Sequence, residues 1–179
     1  MSLSGHSIHS TDTVTTVTAI IVNPIAIAAV PSGSLAYVLT STQLWQMPAG
    51  GGTPSLVGLG CMGGAALAVH SVTGWIYIAS GNYISTCTPL GVAGSLAGNG
   101  TSGNMDGASP TATFSSPRGI VMDPDNQYLY VISGNTIRQV VVSTGFTTTL
   151  AGSGTAAHID GTGLGASFSY PSYVEMVFS

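Results

Sequence analysis

The sequence predicts an all-β protein made of repeated four-stranded sheets, on three observations. The 22 residues LAGNGTSGNMDGASPTATFSSP (96–117) return 54 positions later as LAGSGTAAHIDGTGLGASFSYP (150–171), with eleven identities. Apolar runs of about five residues, rich in β-branched and aromatic types, are parted by Gly, Pro, Ser, Asn and Asp, and no helical period is sustained. Twenty-five glycines and nine prolines favour many turns over long helices.

The runs group into three units, 24–58, 64–98 and 117–152. Each opens with an apolar run: IAIAAVPSG (25–33), AALAVHSVTG (65–74) and RGIVMDPDN (118–126). A hairpin-like pair follows as LAYVLTSTQL (35–44), WIYIASGNYI (75–84) and YLYVISGNTI (128–137), so that Tyr37, Tyr77 and Tyr130 hold one place and Leu44, Ile84 and Ile137 another. A last short run closes each unit: PSLVG (54–58), GSLAG (94–98) and TTLAG (148–152). Tyr37 and Tyr77 are 40 residues apart and Tyr77 and Tyr130 are 53 apart. Four strands repeating at that interval predict propeller blades. The variable length falls in the Gly-rich segment after LAG, which reads as a long connection from the last strand of one blade to the first of the next.

A β-propeller arc of about three to four blades is therefore expected over 13–179, behind a flexible leader at 1–12. TVTTVTAII (13–21) reads as the fourth strand of a preceding blade and SYVEMVFS (172–179) as the first strand of a following one. An open arc would expose apolar sheet faces, so the ring is expected to be completed by missing sequence or by a second chain, as in a homodimer.

With LAG-x-G…DG…A-x-F…P, an apolar strand with Gly119, Ile120 and Asp123, and then YV…N-x-I-R in place, the chain resembles NHL-repeat β-propellers. The resemblance is strongest over 94–179, good over 64–93 and faint before 63. It implies four-stranded NHL-like blades and a binding or interaction role. The chain departs from the family where an acidic residue would follow the second strand, which here carries Ser80 and Ser133. The arginine of I-R is present as Arg138 and is replaced by Ser85 and Gln46 in the other units. Ionic contacts between blades are accordingly not expected.

Composition excludes one class of partner. Two basic and six acidic side chains give a formal charge of −4, and there is no lysine. Arg118 and Arg138 cannot build the basic stripe on which nucleic-acid affinity depends, so no nucleic acid is expected. Hydrophobic residues at 44% with charged residues at 4% argue against disorder and for a surface wetted by Ser, Thr, Asn and Gly, a balance that leans towards an extracytoplasmic or cell-surface setting. The start MSLSGHSIHS has neither a basic end nor an apolar core of a signal peptide. AIIVNPIAIAAV (19–30) is too short to span a bilayer and is broken by Asn23 and Pro24, so no membrane insertion is expected. Cys61 and Cys87 allow one disulfide or none; two buried thiols are the simpler expectation, and their spacing fits no metal pattern.

Few residues point to chemistry. Asp106-Gly107 and Asp160-Gly161 suggest calcium, but calcium takes six to eight oxygens and each loop offers one carboxylate, so a turn-forming aspartate bonding its own backbone is expected instead. His6 and His9 lie in the leader, and His70 reads as a strand terminus. His158 is not required by the repeat, because its counterpart is Asn104. Arg118 follows Pro117 at the start of an inner strand, near the mouth of a central channel, where an arginine can anchor a carboxylate or phosphate; pairing with Asp123 or Asp125 is the plainer reading. No serine stands in a nucleophile elbow, and the G-x-G loops precede strands rather than helices, against a phosphate cradle. Asn99-Gly100-Thr101 is a glycosylation sequon, meaningful only in a secreted eukaryotic protein.

The expectation is a non-enzymatic binding module that presents loops 98–116 and 152–170 on one face to a protein or glycan partner. Arg118, His158 and Asn104 are its candidate contacts, with no cofactor, no metal and no catalytic residue. The alternative is a propeller lyase or hydrolase with a metal at the central channel, for which His70, Asp123 and His158 are the first ligands to consider.

Overall fold

The computed structural model describes residues 21–30, 33–58, 60–61 and 63–176. The expected leader and the 13–21 strand lie outside that set, apart from Ile21. Three four-stranded antiparallel sheets follow one another along the chain. The first holds β1 (Pro24–Ala29), β2 (Leu35–Thr40), β3 (Leu44–Pro48) and β4 (Ser55–Leu56). The second holds β5 (Ala66–Val69), β6 (Ile76–Ser80), β7 (Tyr83–Cys87) and β8 (Ala93–Ala97). The third holds β9 (Pro117–Met122), β10 (Tyr128–Ser133), β11 (Thr136–Val141) and β12 (Thr147–Ala151). Each sheet is a simple meander, every strand pairing with the next in sequence. β1 lies against β5 and β5 against β9, so the first strands stand side by side as the inner strands of a propeller-type arc. Among the described residues the arc does not close into a ring. Residues 172–176 form no strand pairing.

Alternation of side chains along each strand decides what packs where. In the second sheet, Leu67 and Val69 on β5 line up with Ile78 and Ile76 on β6, and these face the first sheet with Tyr37, Leu39 and Leu44. The opposite set, Ala68, Tyr77, Ala79 and Ile84, faces the third sheet with Ile120, Met122, Leu129, Val131 and Val140. The inner strands β5 and β6 are thus buried on both faces, which is why they read as continuous apolar runs. Tyr37 and Tyr77 are covered to 2% and 4% exposure, and burial pushes both phenols above their ordinary pKa. Tyr130, at the same repeat position, is only half-buried, because it faces away from the second sheet and, among the described residues, no sheet stands beyond it. At the other end, Ile25 and Ile27 are exposed beside Val38 and Met47 around an apolar recess of about 400 Å³.

Cys61 and Cys87 form a disulfide, with Cα atoms 5.7 Å apart, correcting the expectation of two thiols. Cys61 belongs to the connection out of the first sheet and Cys87 ends β7, so the bridge fastens that connection to the third strand of the second sheet, within the shared core.

Candidate functional site

The two Gly-rich connections are held in one way at both of their ends. In the β6–β7 hairpin, Gly81 takes a positive φ of 57° at the first turn position, and Asn82 follows it. The Asn82 amide donates to the Gly100 carbonyl at 3.1 Å, and its oxygen accepts from the Ser116 amide at 3.1 Å. One sheet further on, Asn135 donates to the Gly154 carbonyl at 3.2 Å and accepts from the Tyr170 amide at 3.1 Å. Ser116 and Tyr170, the clamped exits, both carry positive φ, 45° and 50°. The asparagine of the SGN turn is therefore a loop clamp, a role the aligned sequence displayed without revealing its partner.

Beyond the clamps the two connections differ. The Arg138 side chain on β11 is fully buried and reaches back into connection 98–116. Its Nη1 donates to the Thr113 carbonyl at 2.9 Å, and its Nη2 donates to the Met105 carbonyl at 2.9 Å and to Asp106 Oδ1 at 2.7 Å. The guanidinium lies over the Phe114 ring, 5.3 Å from its centroid. Asp106 also accepts from the Thr149 amide at 3.0 Å and the Thr149 hydroxyl at 2.9 Å. Partial burial pushes the Asp106 carboxyl pKa up, but the bonds from Thr149 and Arg138 outweigh it and hold the group below its ordinary value. Two sequence expectations are corrected here. An ionic contact does join a connection to the following sheet, and Asp106 bonds that sheet rather than its own turn. The two partners lie 32 residues apart, outside the reach of local pattern.

Strand register also corrects the repeat alignment. Arg138 pairs with Val131 and Ser85 with Ile78, and the first-sheet residue in that place is Trp45, opposite Val38, rather than Gln46.

The three candidate contact residues fall in two places. The Arg118 guanidinium donates from Nη2 to the Gly134 carbonyl at 3.4 Å, beside the Asn135 clamp, and its Nε is buried without a partner. Among the described residues it forms no ion pair, so the expected pairing with Asp123 or Asp125 is absent. Gly154, held by Asn135, adjoins Asn104: a Cβ added there would lie 3.7 Å from the Asn104 amide nitrogen. Arg118 and Asn104 thus border the same clamped region, where the two connections meet. His158 lies apart, lining a recess of about 330 Å³ with Ile159, Asp160, Gly161, Ser167 and Phe168.

Two of the three residues of the metal-enzyme alternative, Asp123 and His70, are engaged in turns, and the third, His158, lines the recess just described. Asp123 Oδ1 accepts from the Gln127 and Tyr128 amides, both at 2.7 Å, closing the turn after β9. His70, in the equivalent turn after β5, accepts at Nδ1 from the Val72 and Thr73 amides at 3.3 Å. Among the described residues, no three His, Cys, Asp or Glu side chains are gathered as a metal would require. No described helix is long and apolar enough to cross a membrane.

Solved structures of similar fold exist. A structural-genomics protein of unknown function from Bacteroides thetaiotaomicron matches at 25% identity with a TM-score of 0.73, covering 83% of this chain and 40% of that one. An auxiliary nutrient binding protein from the same organism matches at 19% identity and TM-score 0.69, covering 83% and 41%. A chain of the nidogen/laminin complex matches at 17% identity and TM-score 0.55, covering 72% and 48%. The fold is thus an all-β, propeller-type one, and this chain spans less than half the length of each of these three. No family model matches the chain. No curated protein matches it either.

Proposed function

We propose that the chain is a non-enzymatic binding module of NHL-like propeller type, which presents connections 98–116 and 152–170 to a glycan or protein partner. The observation that carries this reading is the paired clamp. Asn82 and Asn135 fix both ends of each connection to stiff hairpins, while the spans between them expose Met105 (57%), Ile159 (56%) and Leu164 (63%). Adaptable polar loops on a rigid sheet scaffold suit recognition. Arg118, a cation with no carboxylate partner among the described residues, would anchor a carboxylate of the ligand, with Asn104 and His158 extending the surface. The disulfide and the scarcity of charge suit an oxidising, extracytoplasmic setting. Two structures of like fold are auxiliary nutrient binding proteins, in keeping with ligand binding, although that likeness speaks for the fold alone.

The test is surface plasmon resonance on the immobilised full chain, against neutral and uronate-bearing oligosaccharides and a panel of acidic peptides. A charge-assisted hydrogen bond contributes about 1.5–3 kcal/mol, so Arg118→Gln should weaken a carboxylate-bearing ligand by about tenfold or more. Absence of binding across both panels, or binding indifferent to Arg118→Gln, would refute the reading.

A further inference from the structure

The repeat contains a filled site and an unfilled copy of it. Every group that Arg138 touches in the first connection has a counterpart 54 residues on: Met105 and Ile159, Asp106 and Asp160, Thr113 and Ser167, Phe114 and Phe168. The backbone that shapes the site is repeated as well. The Thr113 amide donates to the Met105 carbonyl at 3.1 Å, and the Ser167 amide donates to the Ile159 carbonyl at 3.0 Å. In the first copy these groups close around a buried guanidinium with Phe114 fully covered. In the second they line the 330 Å³ recess, and Phe168 is only half-buried. The edge beside the site follows the same contrast. Gly107 exchanges two backbone hydrogen bonds with Thr147 on the fourth strand of the following sheet, at 2.9 and 2.8 Å. Gly161, its counterpart, exchanges none among the described residues.

We propose that the recess formed by Ile159, Asp160, Ser167 and Phe168 is a receptor for an arginine carried on the third strand of a further four-stranded β-sheet. The chemistry is that of the filled copy. Two carbonyl oxygens and a carboxylate meet the planar fork of a guanidinium, and an aromatic ring lies beneath its face. An ammonium radiates its three donors from one atom and has no flat face to lay on the ring, so it does not match this arrangement.

The incoming sheet is not the first sheet of a second copy of this chain. Within the chain, the residue at the Arg138 position follows the connection before it. Arg138 comes after a connection with the Asp-Gly loop, and Ser85 comes after the short connection 57–65, which has none. The first sheet carries Trp45 there, a neutral indole with a single N–H donor for the role and no positive charge for Asp160. The occupant is therefore a sheet with arginine in that place. Its fourth strand would pair with Gly161, and its body would cover the half-buried Tyr130, as the second and third sheets cover Tyr37 and Tyr77. The proposal rests on the in-chain duplicate and stands whether or not the chain binds an oligosaccharide.

The test is an NMR titration of the full 15N-labelled chain with N-acetyl-arginine amide, with N-acetyl-lysine amide as the competing probe. The expected result is a saturable shift of the Ile159, Asp160, Gly161, Ser167 and Phe168 amides by the arginine probe. Lysine amide should bind at least tenfold more weakly, and Asp160→Asn should weaken the arginine probe by a similar factor while leaving the rest of the spectrum in place. The amides of 105–114 should not respond, because Arg138 already fills their site. Shifts that do not saturate, that lysine reproduces equally, or that survive Asp160→Asn unchanged overturn the proposal.

Discussion

Asp106→Asn tests whether the carboxylate in the first connection stabilises the fold through the next sheet. The substitution keeps the size of the side chain and removes its charge, leaving the guanidinium of Arg138 at 0% exposure without a counter-ion. Breaking a buried ion pair from one side costs about 3–5 kcal/mol. The Asp106 side chain is 48% exposed, so water compensates part of that, and a loss of about 2–3 kcal/mol is expected. Against a total stability of about 5–15 kcal/mol this is a large fraction. The assay is urea denaturation, where a slope of about 1–3 kcal/mol per molar turns the loss into a midpoint shift of roughly 1 M. Arg138→Gln and the double variant complete a cycle, and a coupling energy above about 1 kcal/mol is expected for groups in direct contact. Asp160→Asn is the internal control. It is the same residue in the same repeat position, without a hydrogen bond among the described residues, and its effect should stay within about 0.5 kcal/mol. Equal effects of Asp106→Asn and Asp160→Asn, or a coupling of zero, would refute the reasoning.

Acid should act through the same pair. The folded-state pKa of Asp106 is depressed, so its contribution is present above the unfolded value and is lost as pH falls through the folded one. Urea midpoints measured downwards from about pH 5 should fall more steeply in the parent than in Asp106→Asn. Reduction of the Cys61–Cys87 bridge, or the paired change to serine, should cost about 3.5 kcal/mol by loop-closure entropy for its 26-residue separation, read as a midpoint shift with dithiothreitol. Asn135→Ala removes both clamp bonds of the second connection and should speed exchange of the Tyr170 amide while leaving that of Ser116 unchanged. Gly145→Ala should destabilise by about 2–4 kcal/mol in the same denaturation assay, because φ is +71° and the new Cβ would lie 2.1 Å from the Leu96 carbonyl oxygen of the neighbouring sheet.

The all-β class and the four-strand rhythm were legible because both are local. Short apolar runs, Gly-Asn turns and a repeated tyrosine announce a meander without any knowledge of its neighbours. What lay across sheets was hidden. Cys61 and Cys87 meet because a connection folds onto β7, and spacing alone could not say so. Arg138 kept the arginine of the I-R pattern, yet no ionic contact was expected for it, since its partner lies not in its own unit but in the connection before it. A two-residue turn motif gave Asn82 and Asn135 their place, while their task depends on residues 18 and 34 positions away from Asn82 and 19 and 35 from Asn135. The one signal that could have found the pair was the loop comparison itself: where the preceding connection has Asp-Gly, the third strand has arginine, and where it lacks Asp-Gly, serine.

Native-state hydrogen exchange at two glycine amides tests the central claim most directly. The claim is that one Gly-rich connection is locked by the sheet that follows it and that its twin is not. The Gly107 amide, bonded to Thr147, should exchange only through large-scale opening, with protection close to the global stability. The Gly161 amide should exchange orders of magnitude faster in the same sample. Equal protection of the two amides would contradict the account.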